Sequence, residues 1–248
     1  DDIFSTYSDY VSHFAIAFFD SPYLLGDPEH DSLDEVWELD SQEGRARIDH
    51  DRVPMIIVIP KETARARQPF PVAFYNHGYT SMFAESLAFA GLMAKQGSAT
   101  VSITAQSHGL EVSPTILAGV DQPFAEACLQ GFSEGLTLDR ARDLNGDGVP
   151  DSAGNFFSAY IFHLRDALRQ SVLDTLQAYR ILRSFSGDPA APDGRLWESG
   201  SIASARRGEP SLDFSGDTDG DGEVNRAGDF DGDGVPDLGG WDAPYYQW

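Results

Sequence analysis

A chain of 248 residues with 41% hydrophobic and 12% aromatic content is long and apolar enough to build a sizeable core. Its 40 acidic residues against 17 basic ones give a net charge of −23, and only two of the bases are lysines, Lys61 and Lys95. Such a chain repels nucleic acid phosphates and anionic membranes, and no apolar run approaches the ~18–20 residues that span a bilayer.

In chain order, residues 1–52 read as a β-rich lead-in, in which Phe14, Ile16 and Phe18 alternate as in a strand. The runs VPMIIVIP (53–60) and PVAFYNHG (71–78) fit buried strands. MFAESLAFAGLMAKQG (82–97) reads as a helix with Phe83, Leu87, Ala90 and Ala94 on one face and Gly97 as its stop. ATVSITAQSHG (99–109) is a third strand, so 53–110 predicts a βαβ unit in the first half of an α/β core. Residues 111–156 are irregular and read as a cap-like insertion. A helical period runs over 157–185, long enough to predict a kink or a later start. Its expected apolar stripe is Ile161, Leu164, Leu168, Val172, Leu176 and Tyr179, with Arg165, Asp166, Arg169, Gln170, Asp174 and Arg180 largely outside it. Residues 186–242 form an acidic, Gly-rich excursion, and APYYQW (243–248) is a final strand. The lone Cys128 forbids an intrachain disulfide.

Three acidic runs share one pattern. They are Asp143, Asn145, Asp147, Val149 and Asp151; Asp217, Asp219, Asp221, Glu223 and Asn225; and Asp229, Asp231, Asp233, Val235 and Asp237. Each sets oxygen side chains at positions 1, 3, 5 and 9, a glycine at 6 and a carbonyl at 7. That spacing wraps a loop around Ca2+, which takes six to eight hard oxygen ligands. Three hydrated acidic turns are the plain alternative. A bidentate Glu at position 12 is missing, because Gly154, Gly228 and Gly240 stand there, so Asp229, Asp242 or water must complete the shells. The runs resemble thrombospondin type 3 and dockerin loops and predict a structural role. Calcium at modest affinity favours an extracytoplasmic protein: secreted, periplasmic or on a cell surface.

The order VPMIIVIP, PFPVAFYNHGYTS, helix, ATVSITAQSHG resembles the front half of an α/β-hydrolase, and LRDALRQSVLDTLQAYRIL is similar to a helix of bacterial secreted, virulence-factor lipase-like enzymes. The resemblance covers about 53–110 and 157–185. It implies an α/β-hydrolase-type, mostly parallel sheet and a serine esterase or lipase acting on an ester substrate. It also implies an oxyanion loop at Gly78 and Tyr79, most directly the Tyr79 N–H. Ser107-His108-Gly109 looks like the family's Gly-His-Gly turn, with Ser107 in place of the first glycine. His77 and His108 read as loop-holding residues rather than proton shuttles, and His163 as packing or surface.

Gly131-Phe132-Ser133-Glu134-Gly135 spells G-x-S-x-G, but a nucleophile elbow needs a strand before it and a helix after it. The family order places the elbow after the long helix and one further strand, which demotes Ser133 to a cap loop and makes 243–248 the strand before the elbow. The catalytic Ser, acid and His are then expected beyond Trp248, on a companion part of the same hydrolase. The rival readings are a non-catalytic calcium-binding surface or adhesion module on a hydrolase-like scaffold, and a peptidase or polyester depolymerase of the same fold.

Overall fold

The structure is a computed structural model that describes residues 7, 9–26, 34–111, 140–185, 228–240 and 242–248. The expectations for Ser133 and for the loop at 217–225 lie outside these residues. The elements are β1 (Val11–Tyr23), β2 (Leu39–Asp40), β3 (Arg45–Ala46), β4 (Asp49–Pro60), β5 (Val72–Tyr75), α1 (Leu87–Lys95, preceded by a 3-10 turn Phe83–Ser86), β6 (Ala99–Ile103), α2 (Ile161–Arg183) and β7 (Tyr245–Gln247).

Five strands form one sheet in the order β1-β4-β6-β5-β7, and β2 and β3 make a separate small ribbon. The expected mostly parallel sheet is instead mixed. β1 with β4 and β4 with β6 run antiparallel, while β6 with β5 and β5 with β7 run parallel. The reason lies in the connections: parallel neighbours need a crossover, and α1 and α2 are the crossovers that lead into β6 and β7. From β5 the chain crosses by α1 to β6 on one side. From β6 it returns by way of α2 to β7 on the other side, which puts the helices on opposite faces.

The central strands are buried on both faces, as continuous β-branched runs require. Val53, Met55, Ile57 and Ile59 of β4 join Val72, Phe74, Val101, Ile103 and the α2 residues Ala178, Ile181 and Leu182. Val58 faces the other way, onto Ala90 and Ala94 of α1, and Ile56 onto Phe83. Each buried aliphatic of this size contributes about 1.5–3 kcal/mol. α1 ends as the sequence predicts. Gly97 takes φ 79°, its N–H donates to Ala94 O (2.9 Å), and the Ser98 N–H reaches Met93 O (3.0 Å), the double bond of a Schellman cap.

α2 makes the later start that its length predicts, at Ile161. It departs from expectation in its apolar stripe, of which Leu164 and Tyr179 pack inward but the other four members turn outward. Ile161, Leu168, Val172 and Leu176 are exposed, while Asp166, Gln170 and Asp174 are fully buried. The physical reason is a network of fixed polar partners beneath the helix. Arg140, buried in full, donates to Asp174 Oδ2 (2.6 Å), Asp51 Oδ2 (2.8 Å), Gln106 Oε1 (2.8 Å) and Thr104 O (3.1 Å). Ser21 Oγ and Gln170 Nε2 donate to the other oxygen of Asp174 (2.6 and 2.8 Å), and the Leu24 N–H donates to Gln170 Oε1 (3.0 Å). Burial alone would loosen the Arg140 proton, but Asp174 and Asp51 reverse that and hold it more tightly than usual. Asp166 accepts from the Trp37 N–H, Arg165 and Arg169. Breaking a buried pair of this kind costs about 3–5 kcal/mol, so hydrogen bonding rather than hydropathy sets the helix's inward face here.

Candidate functional site

The segments that follow β5 and β6, 76–81 and 104–109, meet at one end of the sheet. Three non-glycine residues among those described adopt left-handed backbone: Thr80 (φ 60°), Ser107 (φ 64°) and Ala153 (φ 57°). All three lie here. The Ala153 N–H donates to Ser107 O (2.6 Å), and the hydroxyl of Tyr79, beside Thr80, reaches Ala153 O (3.4 Å). Such conformations cost about 1–3 kcal/mol each, and in folded proteins they cluster where function holds the backbone.

His77 Nε2 accepts the Ala105 N–H (2.9 Å), so the ring proton sits on Nδ1, which donates to Gly78 O (2.8 Å). Both nitrogens are therefore committed, and burial holds the imidazole below its ordinary pKa against the Gly78 carbonyl and Glu85. His108 Nδ1 donates to Gln106 O (2.8 Å), and burial pushes its pKa down to about 4, with His77 and Arg140 adding to the fall. Both rings are neutral near pH 7. They stand 5.1 Å apart between centroids, and His108 packs edge-on to Tyr79 (5.9 Å) and Phe156 (4.7 Å). His163 lies on α2, buried, with Nδ1 on Glu35 O (2.7 Å).

Of the two expected oxyanion-loop residues, Gly78 has its N–H taken by Glu85 Oε2 (2.7 Å), and that bond, first among several, keeps Glu85 below the usual carboxylate range. Nothing among the described residues accepts from the Tyr79 N–H. Tyr79 is 54% exposed and its ring packs on that of Phe157, 59% exposed, at 4.8 Å between centroids, so an aromatic rim borders the loop. Glu85, Ala153 and this rim escape the sequence reading, whereas Thr80 lies in the 77–80 segment on which the resemblance places the oxyanion loop. Ser107 carries a signal in hindsight: a residue standing where a glycine is expected must accept the glycine's left-handed backbone. No serine–histidine–acid triad is assembled among the described residues.

Two acidic loops fall within the described residues, and the hydrogen bonds donated by their backbones match residue for residue. Asp143 Oδ1 accepts the Gly146 and Asp147 N–H groups (2.7 and 3.2 Å), and its Oδ2 accepts that of Gly148 (2.8 Å). Asp229 does the same for Gly232, Asp233 and Gly234 (2.9, 3.2 and 2.8 Å). The position-9 carboxylates close the loops on the second residue: Asp151 on the Leu144 N–H (2.9 Å) and Asp237 on the Phe230 N–H (2.7 Å). The glycines at position 6 take φ 85° and 86°, which a Cβ would strain. In the second loop Asp229, Asp231 and Asp237 bring oxygens within 4.8 Å of one another, an arrangement that could hold a metal ion. Burial, with the Asp231 charge adding to it, raises the Asp237 pKa. In the first loop Asn145 stands in place of Asp231 and donates to Asp151 Oδ1 (3.2 Å) instead.

No family model matches the chain, and no curated protein matches it. Among solved structures it is similar to a cold-adapted esterase from an Arctic intertidal metagenomic library, in a PEG-bound complex. The identity is 14% and the TM-score 0.20, over 42% of this chain and 34% of that one. The chain thus spans about a third of the length of the structure it matches. What stands on the sheet itself is a mixed α/β fold, a central sheet flanked by helices, compatible with a hydrolase-like architecture.

Proposed function

We propose that the chain is the N-terminal part of a calcium-stabilised serine hydrolase of the α/β-hydrolase fold, a secreted or otherwise extracytoplasmic esterase or lipase. One observation carries this reading. Left-handed turns at Thr80, Ser107 and Ala153 converge beside a Tyr79 N–H that no described residue engages, at the carboxyl ends of the parallel strands β5 and β6. In open α/β sheets ligands bind outside the carboxyl ends of the strands where the connections reverse direction, and here they reverse at β5 and β7. The loop after the third core strand of an α/β-hydrolase supplies one oxyanion N–H, and the residue after the nucleophile supplies the other.

The division of labour follows. A serine attacks the ester carbonyl, and the Tyr79 N–H stabilises the tetrahedral oxyanion from a fixed position. Water then releases the acyl group. The serine, acid and histidine are assigned to a companion part following Trp248, because β7 runs parallel to β5 and ends at the same edge of the sheet.

Calcium is proposed for the loops at 143–151, 217–225 and 229–237, with the side chains at positions 1, 3, 5 and 9 and the carbonyl at position 7 as ligands. The convergence of Asp229, Asp231 and Asp237 fits a divalent cation, since three like charges within 4.8 Å repel without one. When bound, the ion supplies charge neutralisation and loop rigidity.

The test is fluorophosphonate labelling of the protein from its natural source, with ester hydrolysis followed in parallel. Label on a serine that follows Trp248 supports the reading, and label on Ser133 sinks the companion assignment. An unlabelled, inactive protein favours the non-catalytic calcium module instead. That second reading draws on the commitment of both His77 nitrogens to backbone partners.

A further inference from the structure

Resting on the oxyanion role proposed for Tyr79, we infer that His77 is the positioning residue that aims the Gly78–Tyr79 peptide, through a single fixed tautomer. The Tyr79 N–H and the Gly78 C=O belong to one peptide unit. In a trans peptide these two groups point in opposite directions, and the unit is planar. Whatever holds the Gly78 oxygen therefore also sets the direction of the Tyr79 N–H.

Two donors hold that oxygen: His77 Nδ1–H at 2.8 Å and the Ser81 N–H at 3.2 Å. The His77 ring is fixed from its other side, because Nε2 accepts the Ala105 N–H at 2.9 Å at the end of β6. The preceding peptide is held as well, with the Gly78 N–H on Glu85 Oε2 at 2.7 Å. The loop after β5 is thus fastened to the loop after β6 and to the first turn leading into α1. Donation to the Gly78 oxygen also polarises the peptide and makes the Tyr79 N–H a stronger donor. His77 itself never meets the reacting carbon and moves no proton.

The experiment uses the full-length protein. Long-range 1H–15N spectra of histidine at neutral pH should show His77 as the neutral Nδ1–H tautomer, and an Nε2–H tautomer would overturn the assignment. His77→Asn places an amide nitrogen where Nδ1 stood, and His77→Ala removes the donor. His77→Ala should lower kcat on an activated ester by about tenfold to a hundredfold, as a displaced donor does, with KM unchanged. His77→Asn should recover most of that loss. Equal activity of His77→Ala and wild type, or a loss confined to KM, defeats the inference. A wild type that hydrolyses no ester defeats the proposed function instead. The tautomer and the Tyr79 amide resonance, which should move in His77→Ala and hold in His77→Asn, then decide the positioning claim alone. Thermal melting of each variant separates misfolding from mispositioning.

Discussion

The two described acidic loops are near copies of each other, yet they are fastened to opposite ends of the sheet. DLNGDGVPD (143–151) and DFDGDGVPD (229–237) agree at seven of nine positions, and their internal hydrogen bonds coincide except for the Asn145 amide that reaches Asp151. The first feeds directly into the candidate site. Ser152 Oγ accepts the Gly109 N–H (3.1 Å), and the Ala153 N–H holds Ser107. The second clamps the far end. The Phe70 N–H donates to Asp237 O (2.8 Å), the Gly239 N–H to Phe70 O (3.1 Å), and the Gly240 N–H to Leu182 O at the end of α2 (2.9 Å). The comparison teaches that a loop motif specifies its own shape, while its consequence comes from what its last residues grip.

The largest expected effect separates the loops by stability. Asp237 is fully buried and takes the Gln68 side chain (2.6 Å) and the Phe230 N–H. Asp237→Ala should cost about 3 kcal/mol, against about 1 kcal/mol for the half-buried Asp151→Ala. Asp151→Ala, however, should cost more ester hydrolysis than stability. Urea denaturation and initial rates check both, and equal stability losses would break the comparison.

Next comes the cation. At a calcium concentration of about 100 Kd, binding should stabilise by ~2.7 kcal/mol. That raises the melting temperature of a chain of this size by about 5–10 °C, and chelation should reverse it. Asp231→Asn should remove most of the gain if the second loop dominates. A melting curve indifferent to calcium and chelator counts against both sites.

Acid should pull the two ends apart. His77 and His108 have folded pKa values below the ordinary ~6.5 of histidine. The neutral rings therefore stabilise the fold fully above about pH 6.5. That contribution drains away as pH falls towards about 4, where His108 titrates in the folded state. Asp237 is shifted the other way, up, first by burial. In chelator, its penalty as a carboxylate is relieved as pH falls through its raised value. Hydrogen exchange in chelator at pH 7 and pH 5, corrected for intrinsic rates, should show residues 105–109 opening about tenfold more often, a change of ~1.4 kcal/mol. Residues 237–240 should not follow, and parallel loosening of both ends would contradict the sign.

The smallest effect sharpens the comparison at one side chain. Asn145→Asp gives the first loop the third carboxylate of the second. Without calcium it should cost about 0.5 kcal/mol through repulsion from Asp151, and with calcium it should tighten binding about tenfold as ligand charge rises. Calorimetric titration reads both.

Much of the fold was legible because its signals are local. The β-branched run of β4, the Gly97 stop and the Asp-Gly loops each carry their geometry within a few residues. The sense of α2 was not legible. Periodicity records which residues share a face, not which face turns inward, and Asp166, Gln170 and Asp174 face inward because Trp37, Ser21, Leu24 and Arg140 wait there from distant parts of the chain. The candidate site divides in the same way. Asn-His-Gly at the end of a strand marks Gly78 and Tyr79, whereas Glu85 and Ala153 reach the loop only through folding.

The outward ridge of α2 has a colloidal consequence. Ile161, Leu168, Val172 and Leu176 meet water on a molecule whose net charge of −23 keeps its copies apart. That repulsion reaches about 10 Å at 0.1 M salt and only about 3 Å at 1 M. The protein's dispersion therefore rests on an electrostatic blanket rather than on a polar skin. Salt thins that blanket, and at high ionic strength the ridge is expected to be where two molecules first adhere.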